Sequence, residues 1–274
     1  MTEEEQMLAE VLKCRRVDLY LQRTALNGEQ KKIFETMQAR RVAGEPLQYI
    51  IGHTDFMGIK LFVDKRVLIP RPETELLVED ALRIMNDAYS ARTLKVLDVG
   101  TGSGNIAIAI AKNFPDCEVT AIDNSQTALE VAIKNAQYHH VSERIAFVYR
   151  DMNDFFDPAP KSEERFDLIL ANPPYIRRAD LATLPKDVRQ EPQGALDGGK
   201  DGLDHIRVLL ALSPNALTNN GHLIFEIGDG QSEAVYKTFE YINTFRHIEF
   251  KKDYRNTTRF AICRLIAADA LMSG

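Results

Sequence analysis

Lys95-Val96-Leu97-Asp98-Val99-Gly100-Thr101-Gly102-Ser103-Gly104 is the stretch from which the rest of the chain can be read. Residues 95–99 are a short apolar strand, and the glycines behind them predict a tight turn into an Ala/Ile-rich helix. Glycine tolerates the positive φ angles such a turn requires and lets a ligand approach the main chain. The helix adds unpaired N–H donors at its first turn. A lone Gly-x-Gly is read equally well as an ordinary strand–helix turn, so the neighbouring sequence must decide. Further strands are predicted over residues 118–123, 145–149, 166–171 and 222–227, with helices after Asn124-Ser125, near 203–217 and after 227. Residues 247–251 and 259–265 are two closing strands with no helix between them. Alternating strands and helices predict an α/β fold with a doubly wound, mostly parallel seven-stranded sheet, and the consecutive final strands make its C-terminal edge antiparallel. Such sheets bind ligands beyond the carboxyl ends of their strands, where the winding reverses.

Working toward the N-terminus, residues 75–88 read as a helix opened by Glu73-Thr74-Glu75. Leu68-Ile69-Pro70-Arg71-Pro72 is too rich in proline for a helix interior and is an extended connector. Phe56, Ile59, Leu61 and Val63 alternate in part, with Gly52 and Gly58 as turn formers, which predicts a β-hairpin. Residues 1–48 carry apolar positions at helical spacing, broken at Asn27-Gly28 and ended by Gly44-Glu45-Pro46. The organisation is therefore a helical module over 1–48, a hairpin and connector over 49–74, and an α/β domain over 75–274. Lys161-Ser162-Glu163-Glu164-Arg165 is a solvated loop.

The 274 residues carry a net charge of −6, which gives no basic face of the kind that phosphate backbones demand. Cys14, Cys117 and Cys263 are odd in number and widely spaced, and no Cys/His spacing suggests a metal. The start is acidic without an apolar signal core, and no apolar run approaches the roughly 18 residues that span a bilayer. A soluble, cytoplasmic, monomeric protein is expected.

Two further features carry chemistry. Asp123 ends the strand after the glycine turn, about 20 residues on, where a carboxylate can accept both hydroxyls of a ribose. It could instead cap the next helix, but Asn124 or Ser125 can supply that cap and leave the carboxylate free. Asn172-Pro173-Pro174-Tyr175 follows an apolar strand and so lies beside the glycine turn. A strand-end turn would explain Asn-Pro alone; the whole tetrapeptide in this position is much rarer by chance. An amide or aniline-like nitrogen delocalises its lone pair and is a poor nucleophile. The Asn172 side-chain oxygen and the Pro173 carbonyl can each accept one N–H, which fixes the nitrogen and favours its pyramidalisation. Tyr175 can pack against the flat acceptor group. No proton need leave before attack, so positioning, electrostatics and a dry site supply the rate.

The glycines are spaced G-x-G-x-G, not G-x-G-x-x-G as in dinucleotide sites, and Asp98 stands two places before the first. That pattern resembles motif I of class I methyltransferases, whose loop cradles S-adenosyl-L-methionine. The chain as a whole resembles the PrmC/HemK family of release factor glutamine-N5 methyltransferases. The resemblance also covers Arg40-Arg41, Gly44-Glu45-Pro46, Tyr49 and Gly52, residues 68–75, and Glu191-Pro192 with Ala195-Leu196, Gly198-Gly199, Asp201 and Gly202. It implies that Gly100, Thr101, Gly102, Ser103, Gly104 and Asp123 bind the cofactor, with Met152 flanking the adenine. It implies that Asn172, Pro173, Pro174 and Tyr175 hold the glutamine of a Gly-Gly-Gln loop in a class I peptide chain release factor, and that Asn172 also borders the cofactor. The helical module would then help to dock the release factor. Family members often carry an additional helix ahead of this start, so the module is expected to be short.

Three rival readings remain at this stage. N6-adenine and N2-guanine methyltransferases use a similar tetrapeptide but need a nucleic-acid surface and a base-flipping pocket, against which stand the acidic balance and the absence of Trp. A translation-associated adaptor without activity would not need the tetrapeptide. A NAD-dependent oxidoreductase disagrees with the glycine spacing.

Overall fold

The computed structural model describes residues 2–21, 25–88 and 92–265. Four helices come first: α1 (Glu3–Leu12), α2 (Arg16–Leu21), α3 (Gly28–Val42) and α4 (Leu47–Ile51). Thr2 and Asn27 open α1 and α3 with reciprocal side-chain-to-backbone caps, answered by Glu5 and Gln30. Met7, Met37, Leu47 and Ile50 bury one another between these helices. Arg40 pairs with Glu45 and Arg41 with Glu3, while Gly44 turns the chain at φ +98°. The helical part was expected to stop at Gly44-Glu45-Pro46, yet the chain resumes as α4 across residue 48. Pro46 sits at its N-cap, where no helical hydrogen bond requires a proline N–H. Five residues are too few to show a helical period in the sequence.

Gly52 ends α4 at φ +86°, and β1 (His53–Phe56) pairs antiparallel with β2 (Ile59–Phe62) as the expected hairpin. The connector then runs to α5 (Pro72–Ala88), which starts on a proline in its first turn. The buried Asn135 holds the hairpin in place: it accepts from Phe62 N–H (2.8 Å) and donates to the carbonyls of Phe62 and Ser103.

The remaining strands are β3 (Leu94–Val99), β4 (Cys117–Asp123), β5 (Ile145–Tyr149), β6 (Phe166–Ala171), β7 (Leu217–Glu226), β8 (His247–Lys252) and β9 (Thr258–Arg264). Between them lie α6 (Asn105–Asn113), α7 (Gln126–Tyr138), α8 (Met152–Phe156), α9 (Asp204–Leu212) and α10 (Ser232–Ile242). The seven strands lie in the order β5-β4-β3-β6-β7-β9-β8, with β9 antiparallel to both β7 and β8. Sheet residues alternate between two apolar layers. Val96, Leu168 and Ile224 pack toward α5 and α6, and Leu97, Ile169 and Phe225 toward α9 and α10. The winding reverses between β3 and β6, which opens a crevice at their carboxyl ends.

One expected helix is shorter than its periodicity suggested. The helix near 203–217 ends at Leu212, a tight turn with Pro214 follows, and β7 begins at Leu217 instead of 222. Proline cannot continue the helical hydrogen bonds, so the chain leaves the helix at Ser213-Pro214-Asn215 and enters the strand within a few residues. Among the described residues no helix is long and apolar enough to cross a membrane.

Candidate active site

Gly100, Gly102 and Gly104 all have positive φ (72°, 54° and 82°), so the loop after β3 alternates its two faces. A Cβ on Gly100 would meet nothing within 4 Å, whereas one on Gly104 would press on Ile108 Cδ1 at 3.0 Å and Ala132 Cβ at 3.2 Å. Gly100 and Gly102 therefore border open space, and Gly104 lets α6 pack against α7. Thr101 and Ser103 point inward and are buried. The Thr101 hydroxyl donates to Asp98 Oδ2 (2.6 Å), which also accepts from Ala107 N–H at 3.1 Å. Burial pushes the Asp98 carboxyl up to about 7, opposed by those two hydrogen bonds. Of the five loop residues expected to bind cofactor, the structure brings Gly100 and Gly102 to the cavity and gives Thr101, Ser103 and Gly104 to the interior.

Asp123 stands across the crevice at the end of β4. Ser125 does cap α7, accepting from Ala128 N–H (3.2 Å), but Asp123 is not left free. Its Oδ2 accepts from Gly102 N–H and its Oδ1 from Ser125 N–H, both at 2.8 Å. The carboxylate thus ties the glycine loop to the start of α7. Burial raises its pKa against these two donors. Each oxygen keeps a second lone pair, and Asp123 lines the cavity, so two hydroxyls can still be accepted there.

Asn172, Pro173 and Pro174 form the opposite wall, directly after β6. The Asn172 amide is oriented from behind. Its Nδ2 donates to Thr74 Oγ1 (3.0 Å), and Thr74 Oγ1 donates to Glu226 Oε2 (2.6 Å). Tyr175 does not line the cavity, and its hydroxyl donates to Glu226 Oε1 at 3.0 Å. Burial and the neighbouring Glu226 together raise the Tyr175 pKa, and the hydroxyl stays protonated. Thr74 and Glu226 were not singled out from sequence as site residues. Thr74 lay within the proline-rich motif, but nothing in the order of residues shows that β7 brings Glu226 beneath it.

The cavity between these walls has a volume of about 320 Å³, within the range of small-molecule sites. Met152, after β5, lines it and also packs against the apolar layer under α9. Arg66, Val67 and Leu68 of the connector, Pro192, Gly194 and Ala195, and His205 complete it. Glu191 fixes this roof: it is buried, accepts from Ile69 N–H (3.0 Å) and pairs with Arg71 at 2.6 Å. The glycines at 198 and 202 allow their segment to lie on the tetrapeptide backbone. A Cβ on Gly198 would stand 2.7 Å from Tyr175 Cα and 2.8 Å from the Pro174 carbonyl oxygen, and one on Gly202 would collide with the Tyr175 carbonyl.

Comparison with known proteins gives the family. A family described as "Methyltransferase domain" matches residues 90–261, and one described as "PrmC N-terminal domain" matches residues 2–52. A release factor glutamine methyltransferase of Geobacter sulfurreducens is 42% identical over 239 residues, covering 86% of this chain and 80% of its own. That of Thermodesulfovibrio yellowstonii is 37% identical over 261 residues, covering 95% and 91%. A methyltransferase from Pyrococcus furiosus shares the fold with a TM-score of 0.56 at 15% identity, covering 85% of this chain and all of its own. The chain is a class I S-adenosylmethionine-dependent methyltransferase and belongs to the release factor glutamine methyltransferase family.

Proposed function

We propose that the protein transfers the methyl group of S-adenosyl-L-methionine to the side-chain N5 of the glutamine in the Gly-Gly-Gln motif of a class I peptide chain release factor. One observation carries the reading. The Asn172 amide is held by its NH₂ end, so its oxygen is the end left to face the cavity beside the glycine loop. That oxygen and the Pro173 carbonyl each accept one N–H of the acceptor amide and aim its lone pair. The residues present suit the cofactor: Gly100 and Gly102 offer bare backbone beside open space, Asp123 can accept the ribose hydroxyls, and Met152 offers a polarisable flank for the adenine. Bound there, the cofactor supplies an electrophilic sulfonium methyl. The helical module, together with the hairpin, docks the release factor outside the pocket. The decisive experiment supplies labelled S-adenosylmethionine with an intact release factor, the same factor with asparagine in place of its glutamine, and a DNA duplex. Label is expected on the first alone; label on the duplex, or on the factor without its glutamine, overturns the reading.

Two variants probe the walls separately. Asp123→Ala is expected to weaken S-adenosylmethionine binding by about 1.5–3 kcal/mol, the scale of hydrogen bonds to a charged group. Because Asp123 also anchors Gly102 N–H, part of that loss comes from the loop itself. Calorimetry on the folded variant checks it, and unchanged affinity removes Asp123 from the site. Gly198→Ala should instead spare cofactor binding and displace Pro174 and Tyr175. A shift of that kind lowers turnover on the order of 10–100-fold, measured as single-turnover transfer at saturating cofactor.

A further inference from the structure

Thr74 and Glu226 are both buried and neither lines the cavity; so far they have entered only as hydrogen-bond partners behind Asn172. They come from α5 and the end of β7 and meet only behind Asn172. We propose that Glu226, acting through the Thr74 hydroxyl, is the positioning residue that decides which end of the Asn172 amide faces the acceptor glutamine. The inference rests on Asn172 being the amide clamp.

The two ends of an asparagine amide are nearly alike in shape, so packing alone selects poorly between them, and hydrogen bonding must do it. As a carboxylate, Glu226 can only accept. Its Oε1 is taken by the Tyr175 hydroxyl (3.0 Å) and its Oε2 by Thr74 (2.6 Å). The single Thr74 proton is then committed to Glu226, and Thr74 Oγ1 can only accept from Asn172. Only the NH₂ end of Asn172 satisfies it, at 3.0 Å, which sends Oδ1 toward the cavity. An inverted amide would set an NH₂ group against the NH₂ of the glutamine, donor against donor.

A proton on Glu226 removes the constraint. The new O–H can donate to Thr74 Oγ1, the Thr74 proton can turn to Asn172 Oδ1, and the amide can invert. The groups facing Glu226 are Thr74 and Glu73 on α5, Tyr175 after β6, and Arg259 on β9. Burial pushes its carboxyl up to about 7; Thr74, Tyr175 and Arg259 oppose this and Glu73 adds to it. The orientation is therefore complete above that value and is lost as pH falls through it.

The test is the pH profile of single-turnover transfer to an intact release factor at saturating S-adenosylmethionine. The wild-type rate is expected to fall on the acid side with a midpoint near 7, the value at which Glu226 takes up its proton. Glu226→Gln cannot ionise and should run more slowly without that acid limb. Thr74→Val, nearly the same shape, should lower the plateau on the order of 10-fold with cofactor affinity unchanged, a smaller loss than removing the acceptor itself. Thr74→Ser restores the hydroxyl and should recover most of the rate together with the acid limb. Wild-type rate and profile in Thr74→Val, or an unchanged acid limb in Glu226→Gln, overturns the inference. If Thr74→Val behaves as wild type while Asn172→Ala is inactive, the clamp stands and only the positioning role fails. A wild-type rate in Asn172→Ala removes the clamp itself.

Discussion

Asn172→Ala is expected to slow single-turnover methyl transfer on the order of 10²–10³-fold, the usual loss when one preorganised polar contact to the reacting group is removed. Cofactor affinity should change little, because the lost oxygen acts on the acceptor nitrogen as it attacks and not on the bound cofactor. Asn172→Asp keeps an acceptor of the same size but cannot donate to Thr74. It would also set a second carboxylate near Glu226, at the far side of a hydroxyl whose proton is already given away. Its rate should therefore fall between those of wild type and Asn172→Ala. Single-turnover transfer to the release factor, beside calorimetry with S-adenosylmethionine, separates the two terms. Equal losses in rate and cofactor affinity would mean that Asn172 serves the cofactor first.

The second large effect concerns stability and lies at the opposite end of the sheet. Asp167, on β6, is fully buried and gathers four donors: the two terminal nitrogens of Arg92, Lys95 N–H at 3.0 Å and the Thr218 hydroxyl at 3.0 Å. It stitches together the amino-terminal ends of β3, β6 and β7, whose other ends carry the site. Asp167→Ala strands a partly buried backbone N–H and hydroxyl, and is expected to cost about 3 kcal/mol, the lower end for a broken buried pair because Arg92 is half-exposed. Burial alone would raise the Asp167 pKa, but Arg92, Lys95 and Thr218 outweigh it and hold the pKa below the ordinary aspartate value. Its contribution is thus present above the unfolded-state pKa and disappears as pH falls through the depressed folded value. Denaturant unfolding of wild type and Asp167→Ala should differ fully at neutral pH and converge in acid. A constant difference across that range would contradict the assigned interaction.

Much of this was legible in residue order because it depends on local chemistry. Alternation and glycine placement identified β3 and its turn, the two closing strands identified the antiparallel edge, and Asn172-Pro173-Pro174 after β6 fell on the cavity wall as expected. Where side chains lie differently from the expectation, the reason is a contact or a turn face that residue order does not show. Thr101 and Ser103 were read with the glycines because a motif does not say which face of a turn each residue takes; the alternating positive φ angles settle that. Asp123 was read as free because its partner Gly102 is 21 residues away in the chain. Tyr175 was expected to pack against the acceptor, and the partner of its hydroxyl, Glu226, could not be foreseen because it lies 51 residues further on.

The sequence by itself determined the class of sheet, the glycine turn after its first strand and the amide-directed chemistry, since period, turn residues and a rare tetrapeptide are properties of neighbours along the chain. Only the tertiary structure decided how the chemistry is aimed. Thr74 of α5 and the β7 carboxylate Glu226 reach Asn172 from positions 98 and 54 residues away, and no local pattern encodes their meeting. The orientation of one amide is a matter of which buried donor faces which acceptor, and that is fixed only when β7 has paired with β6 and α5 has packed on the sheet over them.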